Sequence, residues 1–222
     1  MSALTSLICA RFQVVGWAGA PGDTVSTGPA TAAGATPKGR RRRDEILELA
    51  VRMIATHSYH GVTMDDIGAA AGVTGPALYH HFAGKEAMLE AALVPVSERL
   101  RDGGAERVAA ARDPASAIAA LVDFHLDFSL ANPAVITLHL HELDRLPEEP
   151  RRRIRRLQRQ YIEEWVQQLV QARPGLDPDS ARVLCHGVFG LLNSTPFLRE
   201  PLTEDRVREL LRHAALAALL GG

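Results

Sequence analysis

The chain has 222 residues, 46% hydrophobic and only 5% aromatic, with 25 Lys and Arg against 26 Asp and Glu for a formal charge of −1. That length supplies core for a small domain plus a medium one. The near-zero balance excludes a general electrostatic pull toward nucleic acid, so any such binding depends on where charge is placed. No apolar run reaches membrane-spanning length, and Cys9 and Cys185 form no metal-ligand spacing, so free thiols in a reducing cytoplasm are expected.

Met1 to Ala20 is mildly apolar, but Arg11 interrupts it and no basic leader precedes it, which favours an extension over a signal peptide. Residues 18–39 are almost wholly Ala, Gly, Thr, Pro and Ser and have little to bury, so residues 1–39 are expected to be a disordered N-terminal extension. Lys38 and Arg40 to Arg43 then form a basic block. From Arg41 to about His57, Ile46, Leu49, Ala50, Met53 and Ile54 recur at helical spacing and predict an amphipathic helix.

Gly61 marks a break, and Thr63 is placed to cap a second helix to about Ala70, with Asp65 and Asp66 in its first turn. Gly72 supplies a left-handed residue that ends it, and Thr74 caps a third helix over Gly75 to His81. A fourth starts at Lys85 and runs past Leu93, with a kink expected at Pro95. Beyond Gly104, helices are expected at about 114–131, 133–145, 148–172, 178–195 and 203–220, and no stretch alternates with the period of a half-buried strand. The expected fold is all-α in two parts, residues 40–92 and residues 93–222.

Two short helices joined by a Gly turn are the elements of a helix-turn-helix. Ile67, Ala70, Val73 and Leu78 are expected to pack them onto the first helix through Leu49 and Met53, with the third helix in a major groove. Thr74 offers a hydroxyl to a phosphate, Gly75, Pro76 and Ala77 allow close backbone approach, and Ala77 suits a thymine methyl. Tyr79 and His80 reach the groove edge, Lys85 adds a point charge, and Arg41 and Arg42 lie in the basic block. Residues 38–92 carry seven Lys and Arg and seven Asp and Glu, so a basic surface requires the acids to face elsewhere.

The run Gly61-Val62-Thr63-Met64-Asp65-Asp66-Ile67, followed by Ala71-Gly72-Val73-Thr74-Gly75-Pro76-Ala77-Leu78-Tyr79-His80-His81-Phe82-Ala83-Gly84-Lys85-Glu86, resembles the tetracycline-repressor (TetR) family signature over residues 41–92. The resemblance implies a three-helix DNA-binding domain joined by a fourth helix to a ligand-binding, dimerising domain. It also implies operator contacts from Thr63, Thr74, Tyr79, His80 and Lys85. Its expected partners are a palindromic double-stranded operator, a second copy of the chain and a small-molecule effector; no membrane and no cofactor are expected.

In the second part, Phe124, His125, Phe128, Leu138, His139, Tyr161, Trp165, Phe189 and Asn193 are the candidate effector contacts, with His125, His139 and Asn193 the polar points. His139 and His141, two apart on a helix, face away from each other and do not suit one metal ion. Five arginines at 151, 152, 153, 155 and 156 suggest a basic rim for the phosphates of an acyl-coenzyme A. A cationic drug, the alternative effector, would need Asp123, Glu142, Glu163 or Glu164. Val207, Leu210, Leu211 and Ala214 form an apolar stripe for pairing with a second chain, beside the small Gly187 and Gly190. No nucleophile–base pair suggests an enzyme.

Overall fold

Prolines and short polar caps decide where the helices of this chain begin. The computed structural model describes residues 36–198 and 202–221, which contain nine α-helices and no strand. The extension expected over residues 1–39, with Cys9 and the mildly apolar Met1 to Ala20, lies outside the described residues as far as residue 35. Helix α1 spans Pro37–His57, so Pro37 to Gly39 belong to it rather than to the extension. Proline suits that first position, because its fixed φ is helical and its missing N–H is not needed there.

Helix α2 spans Met64–Ala71 and α3 spans Gly75–His81. Thr63 and Asp66 close a reciprocal capping box at the start of α2, and Gly72 ends it at φ 66°. Only glycine adopts that conformation at no steric cost. The long α4, Lys85–Ala110, continues through the exposed Pro95. Helices α5, Pro114–Ala131, and α6, Pro133–His141, also open on proline.

A short 3₁₀ turn, Leu143–Arg145, takes up the rest of the predicted 133–145 helix. Then follow α7, Glu148–Ala172, α8, Pro178–Leu192, and α9, Glu204–Leu220. The α8 helix stops three residues short of expectation, because Pro196 has no N–H to donate back to the Leu192 carbonyl; a 3₁₀ turn, Thr195–Phe197, follows it.

Two apolar clusters organise these helices. In the first, Ile46, Ala50, Val51 and Ile54 of α1 meet Ile67, Leu78, Phe82 and the first half of α4, together with Val135, Ile136 and Leu138 of α6. Each fully buried Ile or Leu contributes about 1.5–3 kcal/mol. The predicted contacts of Ala70 and Leu49 are not made in this way: Ala70 is exposed and Leu49 only half-buried, because α2 turns Ile67 and Gly68 inward. The second cluster joins α5, α7, α8 and α9 around Trp165. Helix α4 links the two by packing on α1 at one end and on α5 and α7 further along.

Candidate DNA-binding and effector sites

The first site is the outer surface of α3. Leu78 alone of its side chains is fully buried; Pro76, Ala77, Tyr79 and His80 are exposed, Tyr79 by 55%, and Gly75 is half-buried. Thr74 occupies the N-cap without using its side chain as a cap, which leaves its hydroxyl available. Thr63 differs, because its hydroxyl donates to Asp66 Oδ2 at 2.6 Å and accepts from the Asp66 N–H at 3.1 Å. That bonding holds the Asp66 carboxyl below its usual range.

The basic residues divide in the same way. Arg41 is exposed and pairs with Glu45 at 3.2 Å, while Arg42 pairs with Glu45 at 3.1 Å and donates to the Ala71 carbonyl, tying α1 to the end of α2. Lys85 does not project outward as a free charge. Its ammonium donates to the Tyr59 and Val62 carbonyls, the latter at 2.6 Å, and sits 4.0 Å over the Tyr59 ring. The charge-assisted hydrogen bonds to these two carbonyls pin the turn after α1 to the start of α4.

The second site lies inside the α5–α7–α8 body. Of the residues singled out in sequence, His125, Phe128, Tyr161, Trp165, Phe189 and Asn193 come together. The His125 ring lies 4.8 to 6.3 Å from the rings of Phe189, Tyr161, Trp165 and Phe128. Asn193, the cap of α8, accepts from His125 Nε2 at 3.0 Å. This leaves Nδ1 bare and facing the Tyr161 hydroxyl at 3.5 Å.

Burial, against a smaller opposing effect of Asn193, lowers the His125 pKa to about 4, so the imidazole is neutral. Burial also pushes the Tyr161 hydroxyl far up, while the nearby Trp165 indole N–H eases that slightly. That N–H, wholly buried, completes no hydrogen bond.

Phe124 and His139 sit at the edge of this cage. Phe124 is half-buried beneath the Arg107 guanidinium, 4.6 Å from its ring centre, and His139 meets Gln158 of α7. Burial lowers the His139 pKa as well.

Several residues prove central in roles that the sequence reading did not assign. Gly103 and Gly104 let the rings of Phe124 and Tyr161 lie against α4. The buried Tyr59 and Glu142 form a polar knot with the half-buried Lys85 and the exposed Glu86. Burial and then the Glu86 carboxylate push the Tyr59 hydroxyl up to about 12. The sequence signal available for these was the adjacent glycine pair and an acidic residue ending an otherwise apolar helix.

A three-helix head with an exposed recognition helix, joined by one long helix to an all-α body with a caged polar group, defines a helix-turn-helix transcription regulator. Residues 46–92 match the family described as bacterial regulatory proteins, tetR family, and residues 111–197 match tetracyclin repressor-like, C-terminal domain. The chain belongs to the TetR family.

Among its relatives, the HTH-type transcriptional repressor KstR2 of Mycobacterium tuberculosis is 31% identical over 145 residues, covering 62% of this chain and 72% of the relative. The solved structure of that ketosteroid transcriptional regulator aligns with a TM-score of 0.71 at 27% identity, over 80% of this chain and 94% of the other. A TetR-family regulator from Bordetella parapertussis 12822 aligns with a TM-score of 0.72 at 26% identity, over 78% and 93%. AibR, solved in complex with isovaleryl coenzyme A and operator DNA, shares the fold with a TM-score of 0.66 at 23% identity, over 81% and 98%.

Proposed function

We propose that this regulator is a repressor that binds a palindromic operator as a homodimer and leaves it when the apolar, uncharged part of an effector enters the aromatic cage. The observation that carries the effector reading is the buried Trp165 N–H without a partner, set among rings beside a neutral His125. A buried unpaired donor costs about 1–3 kcal/mol, which an acceptor oxygen on an otherwise apolar molecule offsets. The cage is packed ring against ring, so an effector enters by parting α5, α7 and α8 and thereby favours a different arrangement of the body.

An acyl-coenzyme A fits this chemistry, with a thioester carbonyl for the cage and phosphates for arginines. Arg152, Arg153 and Arg155 are paired with Glu148, Glu98 and Asp144, whereas Arg156 and Arg159, one turn apart on α7, make no ion pair among the described residues. AibR, which shares the fold, was solved with isovaleryl coenzyme A, which agrees in direction. Of the four acids a cationic drug would need, Asp123 is held by Arg212, Glu163 by Arg182 and Glu142 by the Tyr59 N–H, which leaves Glu164 for that alternative.

The dimer reading rests on small and apolar residues left uncovered on α8 and α9. Val183, 72% exposed, lies in line with the exposed Gly187 and Gly190 on α8, and Leu210, Ala214 and Ala217 repeat that spacing on α9. A second copy seated there brings two recognition helices to half-sites about 34 Å apart. Isothermal titration of the purified protein with a series of acyl-coenzyme A esters, followed by DNA release at the same concentrations, tests the effector. Heat and release are expected together, and neither from any ester would remove the acyl-coenzyme A reading.

A further inference from the structure

We propose that Glu142 is the residue that couples the body to the DNA-binding head, by holding the backbone N–H of Tyr59. Ser58, just past the end of α1, adopts φ 64°, and this turn directs the Tyr59 N–H away from the helix. Glu142 Oε1, 83 residues later at the end of α6, accepts from that N–H at 3.0 Å. Glu142 is buried, and its second oxygen lies 3.8 Å from the Arg145 Nε.

Every other polar group of Tyr59 belongs to the head and the first turn of α4. Its hydroxyl donates to Glu86, and its carbonyl accepts from Lys85. Tyr59 is therefore fastened on one side to the head and on the other to a helix of the body.

Helix α6 also reaches the effector cage. It carries His139, which meets Gln158 of α7, and it packs on α5, the helix of His125. A hydrogen bond to a buried carboxylate is short-ranged and strong, so it is either made or broken when α6 shifts by a small amount. Apolar contacts between α1 and α6 slide over the same displacement with little change. The single polar bond thus sets the angle of the head. This inference rests on the contacts alone and is independent of which effector the cage takes.

The test uses the full chain with Cys9→Ser, spin-labelled at Ala83→Cys in the head and Gln160→Cys on α7, and diluted with unlabelled chains. Electron–electron distances report the head-to-body arrangement, and amide hydrogen exchange at Tyr59 reports the bond. Glu142→Leu is expected to widen the distance distribution at least twofold and speed Tyr59 exchange at least tenfold, while α7 to α9 keep their protection. Glu142→Gln, which retains an acceptor oxygen, is expected to match the parent chain in both.

Unchanged width and exchange in Glu142→Leu, or equal broadening in Glu142→Gln, would overturn the proposal. If the leucine variant does not fold, Glu142→Asp withdraws the acceptor by one methylene and carries the same expectation; Tyr59 exchange equal to that of the parent chain would then overturn it.

Discussion

Gly104 of α4 lies so close to the Tyr161 ring of α7 that a Cβ at position 104 would stand 2.5 Å from Cε2. Tyr161 is buried and held between His125 and Trp165, so it has nowhere to move. Gly104→Ala gains about 0.5–1 kcal/mol of helix preference but forces an overpacked core, which costs about 1–3 kcal/mol. A net loss of about 1–2 kcal/mol is expected by urea unfolding, and a stabilised variant would show that the ring is not confined there.

Ser58→Gly is expected to act in the opposite direction. A non-glycine residue at φ 64° bears a left-handed penalty of about 1–2 kcal/mol, partly offset by the greater freedom of glycine in the unfolded chain. A gain of about 0.5–1 kcal/mol in unfolding free energy is the expected result. An unchanged or lower value would mean that the serine side chain contributes something the turn geometry does not reveal.

His125 makes stability depend on pH. In the unfolded chain an imidazole titrates near 6.5, whereas burial brings the folded value to about 4. Between these values the unfolded state binds the extra proton, so this contribution is complete above about pH 6.5 and is lost as pH falls toward 4, by up to about 1.4 kcal/mol per unit. His125→Phe also leaves Asn193 unpaired, but that loss does not vary with pH. The variant should lose less stability than the parent between about pH 6.5 and 5; equal losses would mean that His125 is not the group responsible.

The head's helices were legible in the sequence because their ends are marked locally, by Thr63, Gly72 and Thr74 around short apolar stretches. The cage was legible in outline because aromatics are scarce here and fall one or two helical turns apart, as Tyr161 and Trp165 do. The commitments of Lys85 and Glu142 were not. Their partners lie 26 and 83 residues away, and no local periodicity distinguishes an outward-facing charge from one folded back onto a distant carbonyl or N–H.

Lys85 and Arg41 are therefore expected to separate in a salt titration of DNA binding. Arg41→Ala removes an exposed charge and should lower the slope of log affinity against log salt by about 1. Lys85→Met should weaken binding while leaving that slope within error, because the ammonium braces Tyr59 and Val62. A slope reduced equally by Lys85→Met would return the lysine to the phosphate backbone.

Footprinting of the purified protein on the DNA upstream of its own gene, beside Tyr79→Ala, tests the account most directly. The exposed face of α3 predicts two protected, symmetry-related half-sites about one helical turn apart, with Tyr79→Ala weakening both about equally and on every sequence tried. Protection that is unaltered by Tyr79→Ala, or absent at every concentration and salt, would contradict the assignment of Gly75–His81 as the reading helix.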